Sequence, residues 1–377
     1  MVVGDVDRMR WILWPDSAEA SLLRPRYHLG ADRRCEGIHM TSSGRLRVGL
    51  LGAGRIGQLH ANLLTHSVEG CSMSVVHDVD HARARSVAGS TGAEVAATAE
   101  GLIASPTVDA VAICSPTDTH VDLILAAAAA GKAIFCEKPL AMQLGDIDRA
   151  LAAVADAGVM LMVGFNRRFD PSHRAVFDAV HSGRVGEPHL VRITSRDPAP
   201  PPVDYIASSG GMFLDMTIHD FDMARFVSGS EVREVFAQGA VRIDPVFATF
   251  GDVDTAVVVL RHENGCITTI DNSRRAVYGY DQRVEVLGSE GMAASNNPLA
   301  STTVVSTADA IATETLPHFF LERYQSSYAR EWEAFVHAWS TGAPSPVGGA
   351  DGRAAIEIGL AAAESLRLHR PVSVGAE

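Results

Sequence analysis

Two short segments of this 377-residue chain carry side chains whose types and spacing suit proton transfer at an alcohol. In Asp215-Met-Thr-Ile-His219 a carboxylate and an imidazole stand four residues apart, on one face of a helix and within side-chain reach. A carboxylate beside an imidazole raises its basicity and selects its tautomer, which suits a general base near neutral pH. A solvated Asp–His pair would have the same spacing, but the neighbours Phe213, Leu214, Met216, Ile218 and Phe221 predict a largely buried helix. The second segment, Glu137-Lys138-Pro139, follows the apolar run 133–136. A lysine there can hold a hydroxyl and stabilise its oxygen as it becomes a carbonyl, with Glu137 placed to fix the ammonium. In isolation a Lys-Pro after a strand reads as a surface turn. Asp215, His219 and Asp220 are also possible metal ligands, yet no His-x-x-x-His or cysteine set accompanies them, so no metal is expected.

A third segment suits a dinucleotide. Gly52-Ala-Gly54-Arg-Ile-Gly57 lies between the strand-like run 46–51 and an amphipathic run, 55–65. In that context Gly52 permits the turn, Gly54 lets the backbone approach a pyrophosphate, and Gly57 permits close helix–strand packing. The helix start offers free N–H groups to the phosphates, so Gly52, Gly54, Arg55, Ile56 and Gly57 are candidate cofactor contacts. Asp78, at the end of the run 73–77, can accept hydrogen bonds from both adenosine ribose hydroxyls and repels a 2′-phosphate. No basic residue follows it, so NAD is favoured over NADP, and Asp80 suits the N-cap of the next helix. Ser115, Pro116 and Thr117 follow another apolar run, at the sheet edge where such folds bind ligands. With His120, Glu137 and Lys138 they complete the candidate cofactor contacts, although Asp118-Thr119-His120 also suits a helix cap.

The elements that must position these groups alternate in type. Strand-like runs at 46–51, 73–77, 110–114, 133–136 and 159–163 are separated by helical runs at 55–65, 81–90, 118–130 and 144–156. That alternation predicts a parallel sheet in an α/β dinucleotide-binding domain. After about Phe165 come helical runs at 171–181 and 212–227, and strand-like runs at 190–195, 232–241, 255–261, 266–271 and 283–287. Asn264-Gly265 marks a hairpin, and helices near 321–340 and 351–368 close the chain. This half predicts an α+β domain with a large, open, mostly antiparallel sheet. The expected division is a poorly ordered extension at 1–42, with Met40 as the more natural first residue, then a dinucleotide-binding domain at 43–165 and a catalytic and oligomerisation domain at 166–377. The closing helices can pack back on the first domain.

A net charge of −13 argues against nucleic acid as partner, and a small molecule is the better expectation. Five cysteines without a C-x-x-C pair predict no disulfide framework and a reducing, cytoplasmic compartment. The apolar runs are too short for a membrane span.

Taken together, the motifs resemble the Gfo/Idh/MocA oxidoreductases. The matching pieces are the glycine loop, Ser115-Pro-Thr-x-Thr119-His120, Glu137-Lys138-Pro139, Gly164-Phe-Asn-Arg-Arg-Phe-Asp170 and Asp215-x-x-x-His219-Asp220, in family order. Ser195-Arg-Asp-Pro-Ala-Pro200 and Tyr278-Gly-Tyr280-Asp281 make the chain most similar to bacterial inositol 2-dehydrogenases. It lacks the His and Asn that some of these place near 195–197, which leaves the stereoisomer open. The resemblance implies a Rossmann domain with NAD, oxidation of a hydroxyl of myo-inositol or a related cyclitol, and Lys138, Asp215 and His219 as the catalytic set. In that scheme His219 takes the proton and Asp215 stabilises the imidazolium. It further implies substrate contacts from Arg167, Asp197 and Tyr280, and a homo-oligomer, usually a tetramer, joined through the open sheet face. The alternatives are a dehydrogenase of another sugar or cyclitol, such as glucose or scyllo-inositol, and a dinucleotide-responsive regulator without turnover.

Overall fold

Six segments pair as parallel strands: β1 (Leu46–Leu51), β2 (Cys71–His77), β3 (Glu94–Val95, two exposed residues that the sequence pattern did not mark), β4 (Ala110–Ile113), β5 (Ala133–Glu137) and β6 (Leu161–Gly164). The computed structural model describes residues 44–375, so the expectation for the N-terminal extension lies outside the described residues. The sheet order is β3-β2-β1-β4-β5-β6, with β1 at the centre. This is the doubly wound order, in which the order of the strands reverses beside β1 and opens a crevice at the strand ends. Helices α1 (Arg55–His66), α2 (His81–Thr91), α3 (Ala99–Ile103), α4 (His120–Ala129) and α5 (Leu144–Ala157) connect the strands. Burial on both faces explains the apolar sequence of β4 and of β5 up to Cys136, all of whose residues are buried. Asp80 caps α2 as expected, accepting the N–H groups of Ala82 and Arg83.

A turn at Asn166–Phe169 and helix α6 (Pro171–His181) lead to the second sheet. Asp170 caps α6, and Pro171 occupies its first turn, where no intrahelical donor is lost. The remaining strands are β7 (Pro188–Arg196), β8 (Val232–Ala240), β9 (Thr255–His262), β10 (Ile267–Ser273), β11 (Asp281–Gly288), β12 (Met292–Ser295), the hairpin β13 (Val304–Ser306) and β14 (Ile311–Thr313), and β15 (Val372–Ser373). Seven of them form a sheet of order β12-β11-β7-β10-β9-β8-β15, in which only β7 and β10 run parallel. Gly265 adopts a positive φ of 88° in the turn joining β9 and β10, as Asn-Gly predicts. Helices α7 (Val203–Ser208), α8 (Ile218–Ser228), α9 (Val246–Thr249), α10 (Phe320–Arg323), α11 (Gln325–Thr341) and α12 (Gly349–Leu368) complete the chain.

The sequence predicts one helix over 212–227. Instead Met212–Met216 forms a π-helical turn, closed by the Thr217 N–H on the Met212 carbonyl at 2.9 Å, and α8 starts after it. Gly210 and Gly211 enter this turn with φ of 82° and 79°, a region that glycine adopts without steric cost. Side chains of α6, α8 and α12 cover one face of the second sheet, while Tyr324, Trp332 and Phe335 from the last helices join the core of the first. No helix among the described residues is long and apolar enough to cross a membrane.

Candidate active site

The glycine loop runs from β1 into α1 and faces the loop after β4. Gly52 has a φ of 98°, and a Cβ there would lie 2.6 Å from the Ser115 backbone nitrogen. A Cβ on Gly57 would lie 2.0 Å from the Gly52 carbonyl oxygen, so helix and loop are packed to the limit of glycine. Around Gly54 nothing lies within 4 Å of that position, which leaves room above the loop. No side chain caps the start of α1, so its N–H groups remain free for phosphate oxygens. Arg55 is exposed, with its guanidinium 5.5 Å from the Phe319 ring centre, and Ile56 is half-buried. Asp78 ends β2 with its carboxylate fixed at both oxygens: one accepts the Ala53 N–H at 2.6 Å, the other the Asp80 N–H at 2.7 Å.

Across the crevice Ser115 Oγ meets Thr119 Oγ1 at 2.6 Å, while Pro116 is exposed and Thr117 half-buried. His120 is buried, and its ring nitrogens lie 2.8 Å and 2.9 Å from the Pro139 and Ser115 carbonyl oxygens. This ring braces two loops against each other rather than lining the crevice.

Lys138 follows β5 and reaches the second half of the chain. Its Nζ donates to the Asp215 carbonyl at 2.9 Å and lies 3.5 Å from Asp215 Oδ1. The expectation that Glu137 fixes this ammonium is corrected, because that carboxylate is already engaged. It accepts the His60 Nε2–H at 2.8 Å and the Lys138 backbone N–H at 3.2 Å. Trp332 Nε1–H donates to His60 Nδ1 at 2.8 Å, which leaves the His60 proton on Nε2.

The expected Asp215–His219 contact is corrected as well. The extra residue in the π turn moves the two side chains off the register of a regular helix. Asp215 Oδ1 accepts the Tyr205 hydroxyl at 2.8 Å and Oδ2 accepts Arg274 Nη2 at 3.0 Å. Burial pushes this carboxyl up, but the Lys138 and Arg274 cations outweigh it and hold it below its ordinary range. His219 Nδ1 is buried without a partner. Burial, then the Lys138 and Arg167 charges, push this imidazole well below its ordinary pKa, so it is neutral at physiological pH. Phe165 packs edge-on against the ring at 6.1 Å.

The second sheet supports this cluster. Arg167 Nη1 donates to Asp220 Oδ1 at 2.6 Å and to Ser195 Oγ at 3.3 Å. Asn272 Nδ2 donates to the other Asp220 oxygen at 2.8 Å, and Asn272 Oδ1 accepts the Thr217 hydroxyl at 2.7 Å. Burial, moderated by Arg167, pushes the Asp220 carboxyl up to about 6. Asp197 lies 3.4 Å from Arg274 Nη1, and burial raises its carboxyl. Tyr280 is buried, edge-on to Tyr324 at 6.0 Å. The residues expected from different segments therefore converge, but Tyr205 and Arg274, which hold Asp215, were not anticipated. Arg274 directly follows β10, three residues beyond the strand-like run seen in the sequence, and nothing in its spacing marked it. Among the described residues no group of three His, Cys, Asp or Glu side chains is arranged to hold a metal.

The geometry has counterparts among known proteins. Residues 46–165 match the family model described as an oxidoreductase family with an NAD-binding Rossmann fold, and residues 173–294 match the GFO/IDH/MocA C-terminal domain. The chain is 48% identical over 330 residues to a myo-inositol 2-dehydrogenase of Thermotoga maritima, covering 87% of this chain and 98% of the relative. A crystal structure of a putative myo-inositol dehydrogenase from Sinorhizobium meliloti superposes with a TM-score of 0.85 at 47% identity, over 88% of this chain and 100% of that one. A scyllo-inositol dehydrogenase from Lactobacillus casei, crystallised with NAD(H) and scyllo-inositol, gives 0.82 at 28% identity, over 88% and 100%.

Proposed function

The chain belongs to the GFO/IDH/MocA oxidoreductase family, with NAD as its cofactor, and on that premise we propose that it oxidises a ring hydroxyl of myo-inositol to the ketone. The observation that carries the reading is the convergence of Lys138, Asp215 and a neutral His219 at the crevice that the glycine loop also faces. Gly52, Gly54, Gly57 and the start of α1 suit the pyrophosphate, and Asp78, already oriented by two N–H groups, suits the adenosine ribose. When bound, the nicotinamide supplies the hydride acceptor.

The side chains then divide the proton chemistry. A neutral imidazole accepts the hydroxyl proton, and His219 is held neutral by burial and by the neighbouring cations. The Lys138 ammonium stabilises the substrate oxygen as the carbonyl forms, and Asp215 orients that ammonium through its carbonyl and carboxylate. Asp215 thus serves Lys138 rather than His219. Arg167, Asp197 and Tyr280 shape the wall beyond them; because Arg167 is committed to Asp220, it supports the site rather than offering a free charge. Copies associate through the uncovered face of the second sheet.

The test is NADH formation with a panel of myo-inositol, scyllo-inositol, other cyclitols and glucose. Myo-inositol is expected to give the highest kcat/KM. Higher efficiency with scyllo-inositol or glucose would reassign the substrate, and turnover of none would defeat the reading.

A further inference from the structure

Arg274 leaves the end of β10 and enters the cluster from the side opposite Lys138. It is 3% exposed, and its two terminal nitrogens reach different carboxylates, Nη2 to Asp215 at 3.0 Å and Nη1 to Asp197 at 3.4 Å. Asp215 is consequently gripped by Tyr205 on Oδ1 and Arg274 on Oδ2, with Lys138 beside Oδ1. Neither oxygen is bonded to His219, although His219 Nδ1 lies buried and unpartnered one helical turn away. The π turn shifts the two side chains off helical register, and the bonds at both Asp215 oxygens keep the carboxylate turned from the imidazole.

We propose that Arg274 is a positioning residue that clamps Asp215 to Asp197, turning the Asp215 carboxylate toward Lys138 and away from His219. A planar guanidinium suits the task because its fork addresses two carboxylates at fixed angles, whereas an ammonium is a single point charge. The charges acting on His219 are Lys138 from the end of β5 and Arg167 from the turn after β6, while Asp215 on the π turn is engaged by Tyr205 and Arg274. Asp220, its neighbour in α8, is spent on Arg167, and Asp197 at the end of β7 is spent on Arg274. With Asp215 clamped, the imidazole faces two cations and no available anion. Without the clamp, Asp215 Oδ2 is free to accept from the imidazole, which would then hold its proton to higher pH, while the Lys138 ammonium loses the fixed carboxylate that orients it.

This inference rests on the reading of His219 as the base, so its test includes a measurement independent of turnover. The imidazole signals of the NAD-bound full chain are followed by NMR as a function of pH, with His219 assigned by its loss in His219→Gln. In Arg274→Met the His219 protonation midpoint is expected to rise, and in Arg274→Met/Asp215→Asn to fall back toward the wild-type value. Cyclitol oxidation should lose kcat by on the order of 10-fold or more with a smaller change in KM, since a transition-state arrangement is lost rather than substrate binding. Arg274→Lys keeps the charge without the fork and also serves if the methionine variant fails to fold. A midpoint shifted as in Arg274→Met supports the clamp, and a wild-type midpoint in a folded Arg274→Lys or Arg274→Met overturns it. If the wild-type chain oxidises no cyclitol, the proposed reaction fails while the NMR comparison still decides the role of Arg274.

Discussion

At the scale of single residues, the charge around His219 determines how the site responds to pH. Burial and the Lys138 ammonium both disfavour the imidazolium, so the base stays neutral well into the acid range. The acid limb of kcat/KM is therefore expected below the ordinary histidine range. Removing the ammonium in Lys138→Met should move that limb to higher pH, besides lowering kcat by about 10²–10³-fold as the oxygen loses its stabilising charge. His219→Ala should cost about 10²–10⁴-fold while NAD affinity, measured by fluorescence, stays near wild type. An unshifted limb in the lysine variant, or near-normal turnover in the histidine variant, would contradict these roles. Asp78 gives a separate residue-scale expectation. Its carboxylate is fixed by the Ala53 and Asp80 N–H groups at the end of β2, a position that in the proposed reading disfavours a 2′-phosphate. Asp78→Ala should lower kcat/KM with NAD far more than with NADP, and an unchanged ratio would remove Asp78 from cofactor selection.

At the scale of elements, the glycine loop and α11 each carry a buried constraint. Any Cβ on Gly57 meets the Gly52 carbonyl, a backbone atom that cannot swing aside. Gly57→Ala should therefore weaken NAD binding and lower Tm together, whereas Gly54→Ala, with open space around it, should affect NAD binding alone. Glu331 on α11 is fully buried, with both carboxylate oxygens unpartnered. Burial and then the Glu137 charge raise its pKa well above the ordinary value, so the folded chain keeps a proton that the unfolded chain releases above its ordinary pKa. Stability then falls as pH rises through that interval, by up to about 1.4 kcal/mol per pH unit. Glu331→Gln should gain stability relative to wild type as pH rises above the ordinary carboxyl range in denaturant titrations, and a constant difference would show that Glu331 ionises in the folded chain. These elements were unequally visible in the sequence. The central strands of the first sheet were legible because burial on both faces writes them as apolar runs, and β1 has the expected limits, whereas β3, two exposed residues at the edge, was not. The π turn was not, since Asp215 and His219 have the same sequence spacing in either kind of turn. Nor were the partners of Asp215, which come from 10, 59 and 77 residues away.

At the scale of the whole molecule, the described residues cover the second sheet on one side only. Along β9, Ala256, Val258 and Leu260 are buried beneath the helices, whereas Val257 on the opposite face is 51% exposed. The register places Leu287 of β11 opposite Leu190 of β7, and Leu190 opposite Ile267 of β10. All three are exposed, so an apolar row crosses three adjacent strands on the open face. Isolated surface leucines need no explanation, but an apolar row on a flat sheet is what a second copy of the chain would cover. Charge placed in the middle of the row should oppose that association without touching the crevice, which lies beyond the ends of the strands. The variant Leu190→Lys/Ile267→Lys is therefore expected to sediment as a smaller species than the wild type, with the same far-ultraviolet circular dichroism and retained NAD binding. A wild-type chain that sediments as a monomer at micromolar concentration, or a double variant of unchanged size, would place the contact elsewhere.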